Sequence, residues 1–508
     1  MNGRTEVHPG GGSMIKTISP QDMQEMEHAF LDGTGYPSLL LMEHASQAVV
    51  RALAARVPER SAVLFVCGGG NNGGDGCAAA RLWMQMGGQA EVWLMRSPSQ
   101  MKGDAGTNAI LLSACGARMR IVYGDVPEIP SGIAGIVDAL FGTGLRGPLD
   151  GTALEIVERI NGSGLPVISV DIPSGVDGAT GKAAGCAVQA TETVTFHRAK
   201  HGHFLYPGRE LTGKLTIADI GILSEWDGAQ GIDILDREDA TALLPERPRN
   251  SYKGTYGHVL VVAGSEGMSG AAVLCTRAAL RSGAGLVTAA CTFPSLSILQ
   301  TAAPCAMARV VSDTDHIEAA SEAVLRELMD GKAALAIGPG LGRSEDTWTA
   351  LLPLIESDIP KVVDADALFL LARHGAKVGR HTVLTPHAGE MARLCGTSTQ
   401  AVLDAPIESA QQLAGEMNCC VLLKGATTVI AQGEELAMNI TGTDAMATGG
   451  SGDVLTGMIA GLLAQGCPTS DAARLGAYFH GLAGEAAALA LGSRAVTAMD
   501  ICERIRIE

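Results

Sequence analysis

A glycine-rich turn followed by a carboxylate and an apolar segment is the stretch of this chain best suited to chemistry. The run TGGSGD occupies residues 448–453, and the apolar spacing from Val454 to Leu463 predicts a helix with one buried face. Three glycines within four positions predict positive φ or a close approach to a ligand. A helix that begins here directs unpaired N–H groups and its positive dipole end at one point. The stretch therefore predicts an anion site, most plausibly for a phosphoryl group.

Asp453 stands at the start of that predicted helix. A carboxylate there can take a proton from a hydroxyl group that attacks the phosphoryl group, which makes Asp453 the candidate general base. The alternative is structural: an acid in the first turn complements the helix dipole, and the glycines form a tight turn. The functional interpretation is favoured because the whole octet Met446–Asp453, rather than one glycine, is arranged this way.

Other chemically rich segments of the second half follow predicted strands. They are GSEGMSG after 258–263, GPGLG after 334–337, DADAL after 361–363, TPHAGE after 383–384 and KGATT after 419–423. The carboxyl ends of parallel strands share one edge of a sheet, so these segments are expected to face the 448–453 turn.

Each of these segments offers side chains with a definite chemistry. Lys424, Thr427 and Thr428 provide a positive charge and hydroxyl groups for nucleotide phosphates. Glu390 and Asp366 are candidates for water-mediated magnesium contacts. His387 either bonds a substrate hydroxyl or amide, or caps a helix.

The first half also alternates buried-strand and helix patterns. The strand 62–67 leads into GGGNNGGDG (68–76), and a helix is predicted over 78–86. Gly68-x-Gly70-x-x-Gly73 matches the dinucleotide fingerprint only weakly, because Glu91 should begin the next strand rather than end it. Two further loops, 137–148 and 170–178, follow strands of the same sheet. Asn72, Asp138, Asp171 and Ser174 are therefore expected to converge as oxygen donors for a cation or polar ligand, although such residues are also common in turns.

Length and composition fit this organisation. The 508 residues favour two or more domains, and 46% hydrophobic against 18% charged residues indicates a globular chain. A net charge of −17 argues against nucleic-acid or anionic membrane partners. The 12 cysteines include no C-x-x-C pair, which favours a reducing cytoplasm, and no transmembrane run or signal peptide is predicted. The predicted fold class is α/β, with two doubly wound domains. Abundant apolar surface predicts a homo-oligomer.

The first half resembles the NAD(P)H-hydrate epimerase family, the YjeF N-terminal domain with a Rossmann-like three-layer fold. The resemblance rests on NNGGDG, VDALFGTGL, DIPSGVDG and TFHRAKHG, and it covers about residues 14–222. It implies a potassium ion held by Asn72, Asp138 and Ser174; Asp138 is also the proton-transfer candidate, a competing role for one carboxylate. The residues implied to bind the hydrated nucleotide are Asn71, Asn72, Gly73, Gly74, Asp75, Gly142, Thr143, Gly144, Leu145, Arg146, Gly147, Pro148 and Asp171. Lys200 either pairs with a phosphate or extends along the surface.

The second half resembles the ribokinase-like superfamily and, within it, the ADP-dependent NAD(P)H-hydrate dehydratases. This resemblance, over about residues 232–508, is carried by the motifs KGTYGHVLVVAGSEGMSGAA, AIGPGLG, DADAL, LTPHAGE, LLKGATT and MATGGSGDVLTGMIAGLLAQG. It implies that Ala271, Gly340, His387 and Asp453 contact the hydrated nicotinamide nucleotide. The residues implied to contact the adenine nucleotide are Lys424, Gly425, Ala426, Thr427, Thr428 and Gly452.

Together these resemblances predict a bifunctional, cytoplasmic metabolite-repair enzyme. One domain (14–222) would interconvert the R and S epimers of NADHX and NADPHX, the hydrated forms of NADH and NADPH. The other (232–508) would dehydrate the S epimer with ADP as co-substrate and magnesium. Residues 223–231 are expected to form a linker, and residues 1–13, ending in GGGS, a leader or tag-like tail.

Rival interpretations come from other classes of protein. The second domain suits a ribokinase-like small-molecule kinase, with the first domain as a nucleotide sensor. The Gly68–Gly73 segment suits a Rossmann oxidoreductase. A non-catalytic binding scaffold is disfavoured because both the Asp138 and the Asp453 loops are intact.

Overall fold

Two compact units, Met1–Ile232 and Asp233–Glu508, make up the chain. The computed structural model describes residues 15–228 and 231–508, so the expected leader at 1–13 lies outside the described residues. Each unit is an α/β domain built on a mainly parallel sheet, which confirms the predicted fold class.

The first unit is organised around a seven-stranded parallel sheet in the order β4-β3-β2-β5-β6-β7-β8. The strands of this unit are β1 (Ile15–Thr17), β2 (Ala62–Cys67), β3 (Gln89–Leu94), β4 (Arg118–Ile121), β5 (Ile133–Ala139), β6 (Val167–Val170), β7 (Glu192–Phe196) and β8 (Lys214–Ala218). The helices are α1 (Pro20–Thr34), α2 (Ser38–Ala54), α3 (Asn71–Gln85), α4 (Gly103–Ala114), α5 (Gly151–Asn161) and α6 (Gly208–Thr212).

The chain leaves β2 toward β3 on one side and meets β5 on the other. Strand order therefore reverses between β2 and β5, and in such a sheet a crevice opens at the carboxyl ends of these two strands. The apolar run AVLFVC makes β2 a buried central strand, as its pattern predicts. The predicted site residues of the first unit follow the ends of β2, β5 and β6 and therefore lie at this crevice.

Helix α3 begins earlier than the sequence pattern predicts. The prediction placed the helix at 78–86, after a loop containing NNGGDG, but α3 begins at Asn71 and includes that motif in its first turns. A Cβ atom on Gly73 would lie 1.9 Å from the carbonyl oxygen of Gly68, and one on Gly76 would lie 2.4 Å from Ala139 Cβ. These glycines therefore let α3 pack directly on the ends of β2 and β5.

The second unit is built on a larger mixed sheet in the order β9-β18-β17-β16-β15-β14-β13-β10-β11-β12. Its strands are β9 (Ile232–Ile234), β10 (His258–Val262), β11 (Leu286–Thr292), β12 (Met307–Ser312), β13 (Ala334–Ile337), β14 (Lys361–Val363), β15 (Thr382–Leu384), β16 (Cys420–Leu423), β17 (Thr428–Gln432) and β18 (Glu435–Asn439). The run from β16 to β12 is parallel, whereas β17 pairs antiparallel with both β16 and β18. The parallel part carries the predicted site segments.

Helices cover the sheet of the second unit. They are α7 (Arg237–Ala242), α8 (Ser269–Arg281), α9 (Phe293–Ala302), α10 (Glu322–Met329), α11 (Glu345–Ile355), α12 (Ala365–His374), α13 (Ala388–Leu394), α14 (Thr399–Asp404), α15 (Pro406–Met417), α16 (Ser451–Ala464), α17 (Thr469–Leu491) and α18 (Ala498–Glu503). Among the described residues, none of the helices is both long and apolar enough to cross a bilayer.

Helix α16 confirms the predicted helix after the glycine turn, but the prediction of one buried face is wrong. Every residue of α16 from Val454 to Ala464 is buried. A Cβ atom on Gly457 would lie 2.1 Å from the carbonyl oxygen of Cys275, and one on Gly461 would lie 2.7 Å from that of Ala279. Because α16 approaches α8 this closely on one side and packs against α17 on another, it lies inside the domain core.

Candidate active site

The glycine turn at 448–453 is partly accessible to solvent, whereas the helix that follows it is buried. Gly450 precedes α16 with φ of 90°, and Asp453 is the third residue of the helix. Gly450 is the one glycine of this turn with positive φ. Gly452 lies against the polar groups of the site, because a Cβ atom there would be in ordinary van der Waals contact with Lys424 Nζ at 3.4 Å and Asp364 Oδ2 at 3.6 Å. The helix start therefore faces a cation and a carboxylate.

Lys424 is held beside this turn by two carboxylates. Its Nζ lies 2.8 Å from Asp364 Oδ1 and 3.9 Å from Glu390 Oε2. Asp364 is 1% exposed, and its second oxygen accepts a hydrogen bond from Thr456 Oγ1 at 2.7 Å. We call Asp364, Glu390, Lys424, Asp453 and Thr456 the Asp453 cluster. Asp364 and Thr456 were not among the sequence-derived candidates, although Asp364 opens the DADAL segment at a strand end.

The charges of the Asp453 cluster shift the pKa of two of its members. Burial, reinforced by the carboxylates of Asp364 and Asp366, raises the pKa of Asp453 from 3.8 to about 7, against an opposing effect of Lys424. Burial lowers the pKa of Lys424, but Asp364 and Glu390 outweigh it, so the net pKa is raised. Lys424 thus stays cationic, while Asp453 titrates near neutral pH.

His387 has the capping role that the sequence left open, and its contact with substrate stays a prediction. Its Nδ1 caps α13 by accepting hydrogen bonds from the N–H groups of Gly389 and Glu390 at 3.0 and 3.3 Å. Its Nε2 lies 3.5 Å from Glu390 Oε1, and the side chain is 60% exposed. The Lys424 N–H donates to Pro386 O at 2.8 Å, which ties the His387 loop to the Asp453 cluster.

Ala271 and Gly340, both predicted to contact substrate, lie together. Gly340 has φ of 63°, and a Cβ atom there would lie 3.0 Å from Ala271 Cβ. One helical turn along α8, Leu274 Cδ1 would lie 2.6 Å from a Cβ atom on Gly450. Helix α8 therefore connects the Gly340 loop to the turn that carries Asp453.

The magnesium candidates Asp366 and Glu390 are already engaged by protein groups. Asp366 accepts from the Gly342 N–H at 3.0 Å and pairs with Arg343 Nε at 2.8 Å. Glu390 Oε2 accepts from the His387 N–H at 2.9 Å. Over residues 15–228 and 231–508, no cluster of three or more His, Cys, Asp or Glu side chains can hold a metal ion. A magnesium ion here would depend on phosphate and water ligands, as that ion commonly does.

In the first unit, Asp138 is fully buried at the end of β5. Its carboxylate accepts hydrogen bonds from Ser174 Oγ at 2.6 Å, the Ser174 N–H at 2.9 Å and Ser169 Oγ at 2.8 Å. Burial raises the pKa of Asp138, and the hydrogen bonds from Ser174, Ser169 and the Leu140 N–H oppose that shift. We call Asn72, Asp138, Ser169 and Ser174 the Asp138 cluster.

Asn72 adds an unsatisfied amide to the Asp138 cluster. Among the described residues, its buried Nδ2 atom has no hydrogen-bond partner. A Cβ atom on Gly142 would lie 3.3 Å from both Cγ and Oδ1 of Asn72, so the 71–75 and 142–148 segments adjoin. Asp138 meanwhile has neutral donors around it. The unpaired Nδ2 is a hydrogen-bond donor and does not itself argue for a cation. The oxygen atoms of the Asn72 amide, the Asp138 carboxylate and the Ser174 hydroxyl are ligands of the kind that a hard cation such as potassium takes.

Asp171 and Lys200 form a second polar centre in the first unit. Lys200 Nζ lies 2.6 Å from Asp171 Oδ1 and 3.0 Å from Thr195 Oγ1, in a buried ion pair. The prediction that Lys200 extends along the surface is therefore wrong, and its contact with a phosphate stays a prediction. Burial raises the pKa of Asp171, but Lys200 outweighs it and the net pKa is lowered. Burial raises the pKa of Asp75 well above its usual value, reinforced by Asp171 and Glu27. Glu27, from α1, was not a sequence-derived candidate.

The two sheets, with their polar groups at the carboxyl ends of parallel strands, define a class of protein that joins a Rossmann-like domain to a ribokinase-like domain. Family models agree: residues 38–202 match the YjeF-related protein N-terminus, and residues 259–506 match NAD(P)H-hydrate dehydratase. The chain belongs to the family of bifunctional NAD(P)H-hydrate repair enzymes. The predicted family and the predicted enzyme class are thereby confirmed.

Individual relatives are similar over nearly their whole length. A bifunctional NAD(P)H-hydrate repair enzyme from Moorella thermoacetica is 41% identical, covering 96% of this chain and 95% of that protein. One from Thermofilum pendens is 38% identical with the same coverage of both chains. Among solved structures, the ADP/ATP-dependent NAD(P)H-hydrate dehydratase from Bacillus subtilis, co-crystallized with ATP/Mg2+, is 31% identical; the match covers 55% of this chain and 97% of that one, with a TM-score of 0.47.

Proposed function

We propose that the chain repairs hydrated nicotinamide cofactors in two steps. The first domain, residues 14–222, interconverts the R and S epimers of NADHX or NADPHX. The second domain, residues 232–508, dehydrates the S epimer and converts ADP to AMP and phosphate. The observation that carries this proposal is the Asp453 carboxylate, with a pKa of about 7, at a helix start beside Lys424.

In the dehydratase step, Asp453 removes the proton from the hydroxyl group at C6 of the hydrated nicotinamide ring. The resulting oxygen attacks the β-phosphoryl group of ADP, and AMP leaves. Phosphate then departs from C6 with the electrons of the C–O bond, and loss of a proton from C5 restores the ring double bond. A base with a pKa near the working pH suits the first of these transfers.

The remaining groups of the second domain bind and neutralise phosphate. The backbone N–H groups at 449–452 face the phosphoryl group in transit, and a well-placed donor of this kind contributes about 3–4 kcal/mol. Lys424 lies close to Gly452 and offers a fixed positive charge, with the backbone and hydroxyl groups of 425–428 beyond it. A magnesium ion carried by the nucleotide, with Glu390 and Asp366 as water-mediated contacts, would add charge neutralisation. We assign the contacts with the nicotinamide nucleotide to Ala271, Gly340 and His387.

In the epimerase domain, we assign the cation site to Asn72, Asp138 and Ser174. A potassium ion there would neutralise the buried carboxylate and anchor the 71–75 and 142–148 segments around the substrate. Proton transfer has two candidates. Asp138 is 0% exposed and its oxygens accept several hydrogen bonds, whereas the Asp171 side chain of the Asp171–Lys200 pair is 15% exposed. We favour the pair for proton transfer and Asp138 for the cation, because one carboxylate then serves one role.

Conversion of a racemic substrate tests both steps at once. The full chain is incubated with racemic NADHX and ADP, and NADH, AMP and phosphate are measured. We expect complete conversion, with one AMP per NADH. Conversion of only half of the substrate would contradict the epimerase activity. A phosphorylated product without NADH would instead indicate a ribokinase-like kinase. A substrate-dependent reduction of NAD(P) without ADP would indicate an oxidoreductase. The cytoplasmic homo-oligomer stays a prediction, which sedimentation and cell fractionation can address.

A further inference from the structure

A cavity of about 460 Å³ lies at the ends of β3 and β4 in the first unit. It is lined by Met95, Arg96, Gln100, Ile121 and Tyr123. Because β3 ends at Leu94 and β4 at Ile121, the cavity opens at the carboxyl edge of the sheet. The Asp138 cluster lies on that same edge, at the end of β5. The residues proposed above for the epimerase do not include any residue of this cavity.

The cavity adjoins the glycine segment that leads into α3. The Arg96 side chain lies over Gly69, where a Cβ atom would come 2.6 Å from Arg96 Cδ and 3.1 Å from Nε. In doubly wound dinucleotide-binding domains, the pyrophosphate binds at the first strand-to-helix turn, and the adenosine ribose reaches the end of the next strand. Here those positions are the Gly68–Gly70 turn and the cavity beside Arg96.

Arg96 is the charged residue of the cavity lining, and its charge is uncompensated. It is exposed, and within the described residues it forms no hydrogen bond or ion pair. An acid at this strand end bonds the ribose 2′-hydroxyl of an unphosphorylated dinucleotide, whereas an arginine accommodates a 2′-phosphate. Glu91 does not serve as that acid, because it lies within β3 and pairs with Leu64 on one side and Arg118 on the other.

The other walls of the cavity suit an aromatic base. Tyr123 is 92% exposed and Ile121 is 54% exposed, which is unusual for large apolar side chains on a soluble domain. A tyrosine ring offers a face on which adenine can stack. The base and the 2′-phosphate therefore each have a matching group around one cavity.

We propose that this cavity binds the adenosine half of the hydrated dinucleotide, with Arg96 on the 2′-phosphate. The epimerase domain then prefers NADPHX to NADHX, and Arg96 determines that specificity. This inference rests on the proposed function of the first unit, and it adds the orientation of the substrate: nicotinamide toward the Asp138 cluster and adenine toward β4.

The specificity is measured in the full chain without ADP, so that the dehydratase is idle. Rates of epimerisation give kcat/KM for NADPHX and for NADHX. Arg96→Ser should lower the NADPHX to NADHX ratio about 10–100-fold, the effect of losing a charged hydrogen-bonded pair. Arg118→Ser, at the opposite end of β4, is the matched control and should leave the ratio unchanged. Tyr123→Ala should lower both values by a similar factor.

A binding measurement separates this inference from the proposed activity. Titration with 2′,5′-ADP should show weaker binding to Arg96→Ser than to the wild type or Arg118→Ser, whether or not the wild type epimerises. Absence of epimerisation in the wild type would contradict the proposed function, and a selective loss of 2′,5′-ADP binding would still support the cavity. An unchanged ratio in Arg96→Ser, or an equal fall in Arg118→Ser, would overturn the assignment of Arg96. An unchanged affinity of the Arg96→Ser variant for 2′,5′-ADP would also overturn the assignment of Arg96.

Discussion

The two glycine segments of this chain, 68–76 and 449–453, look alike in sequence but serve different purposes. In the first, Gly73 and Gly76 remove side chains so that α3 can pack on β2 and β5. In the second, Gly450 supplies the positive φ that turns the chain into α16. Gly73 and Gly76 thus bring a helix close to a sheet, whereas Gly450 exposes a helix start to a ligand.

The electrostatic settings of the two sites also differ. Asp138 accepts hydrogen bonds from neutral donors, and the proposed cation would neutralise its charge. Asp453 instead shares its surroundings with Lys424, a cation already present in the protein, and with the competing carboxylate of Asp364. The buried carboxylate of Asp138 is therefore suited to holding a cation, and that of Asp453 to exchanging a proton.

Asp138→Asn should produce the largest effect on the first site. The substitution keeps the size of the side chain but removes the charge that would bind potassium. We expect epimerisation to be abolished while dehydration of the S epimer continues, so racemic NADHX stops at half conversion. Glu59→Gln, an exposed carboxylate in the same unit, should still give full conversion. Loss of both activities in Asp138→Asn would indicate misfolding instead of a lost cation site.

A smaller effect, on stability, tests the unusual pKa of Asp453. Its folded-state pKa of about 7 lies above its ordinary value of 3.8, so ionised Asp453 is disfavoured in the folded state. That destabilisation grows as pH rises from about 4 to about 7 and is constant above. Asp453→Asn should therefore raise Tm by about 2–4 °C more at pH 8 than at pH 5.

Asp500→Asn provides a contrast of opposite sign in the same unit. Hydrogen bonds from Thr497 lower the pKa of Asp500, so its charge stabilises the folded state above its unfolded pKa. This variant should have a lower Tm than the wild type at pH 8. A lower Tm for Asp453→Asn than for the wild type at pH 8 would contradict the raised pKa of Asp453.

Much of the architecture was predictable because it depends on local patterns. The strands Ala62–Cys67 and Ala334–Ile337 have the bounds that their β-branched and apolar runs predict. The start of α3 and the complete burial of α16 were not predictable in this way. Both depend on glycines whose partners, such as Cys275 beneath Gly457, are distant in sequence.

The candidate sites show the same division. Motifs identified Asp138, Lys424 and Asp453, since each follows a strand or begins a helix. Asp364 and Thr456 are 92 residues apart, and their hydrogen bond comes from tertiary packing that no spacing rule contains. The Asp171–Lys200 ion pair likewise joins the ends of two different strands. Sequence patterns thus identified the residues at strand ends but not the neighbouring groups that shift the pKa values of those residues.

Turnover of the Asp453→Asn variant tests the central claim most directly. With (S)-NADHX and saturating ADP, the account predicts a kcat lower by about 10²–10⁴-fold and a nearly unchanged Kd for ADP, because the base is lost while the phosphate contacts remain. Asp471→Asn, an acid in the first turn of α17 whose pKa burial also raises, should keep the wild-type kcat. An Asp453→Asn variant that turned over at the wild-type rate would contradict the role of Asp453 as general base.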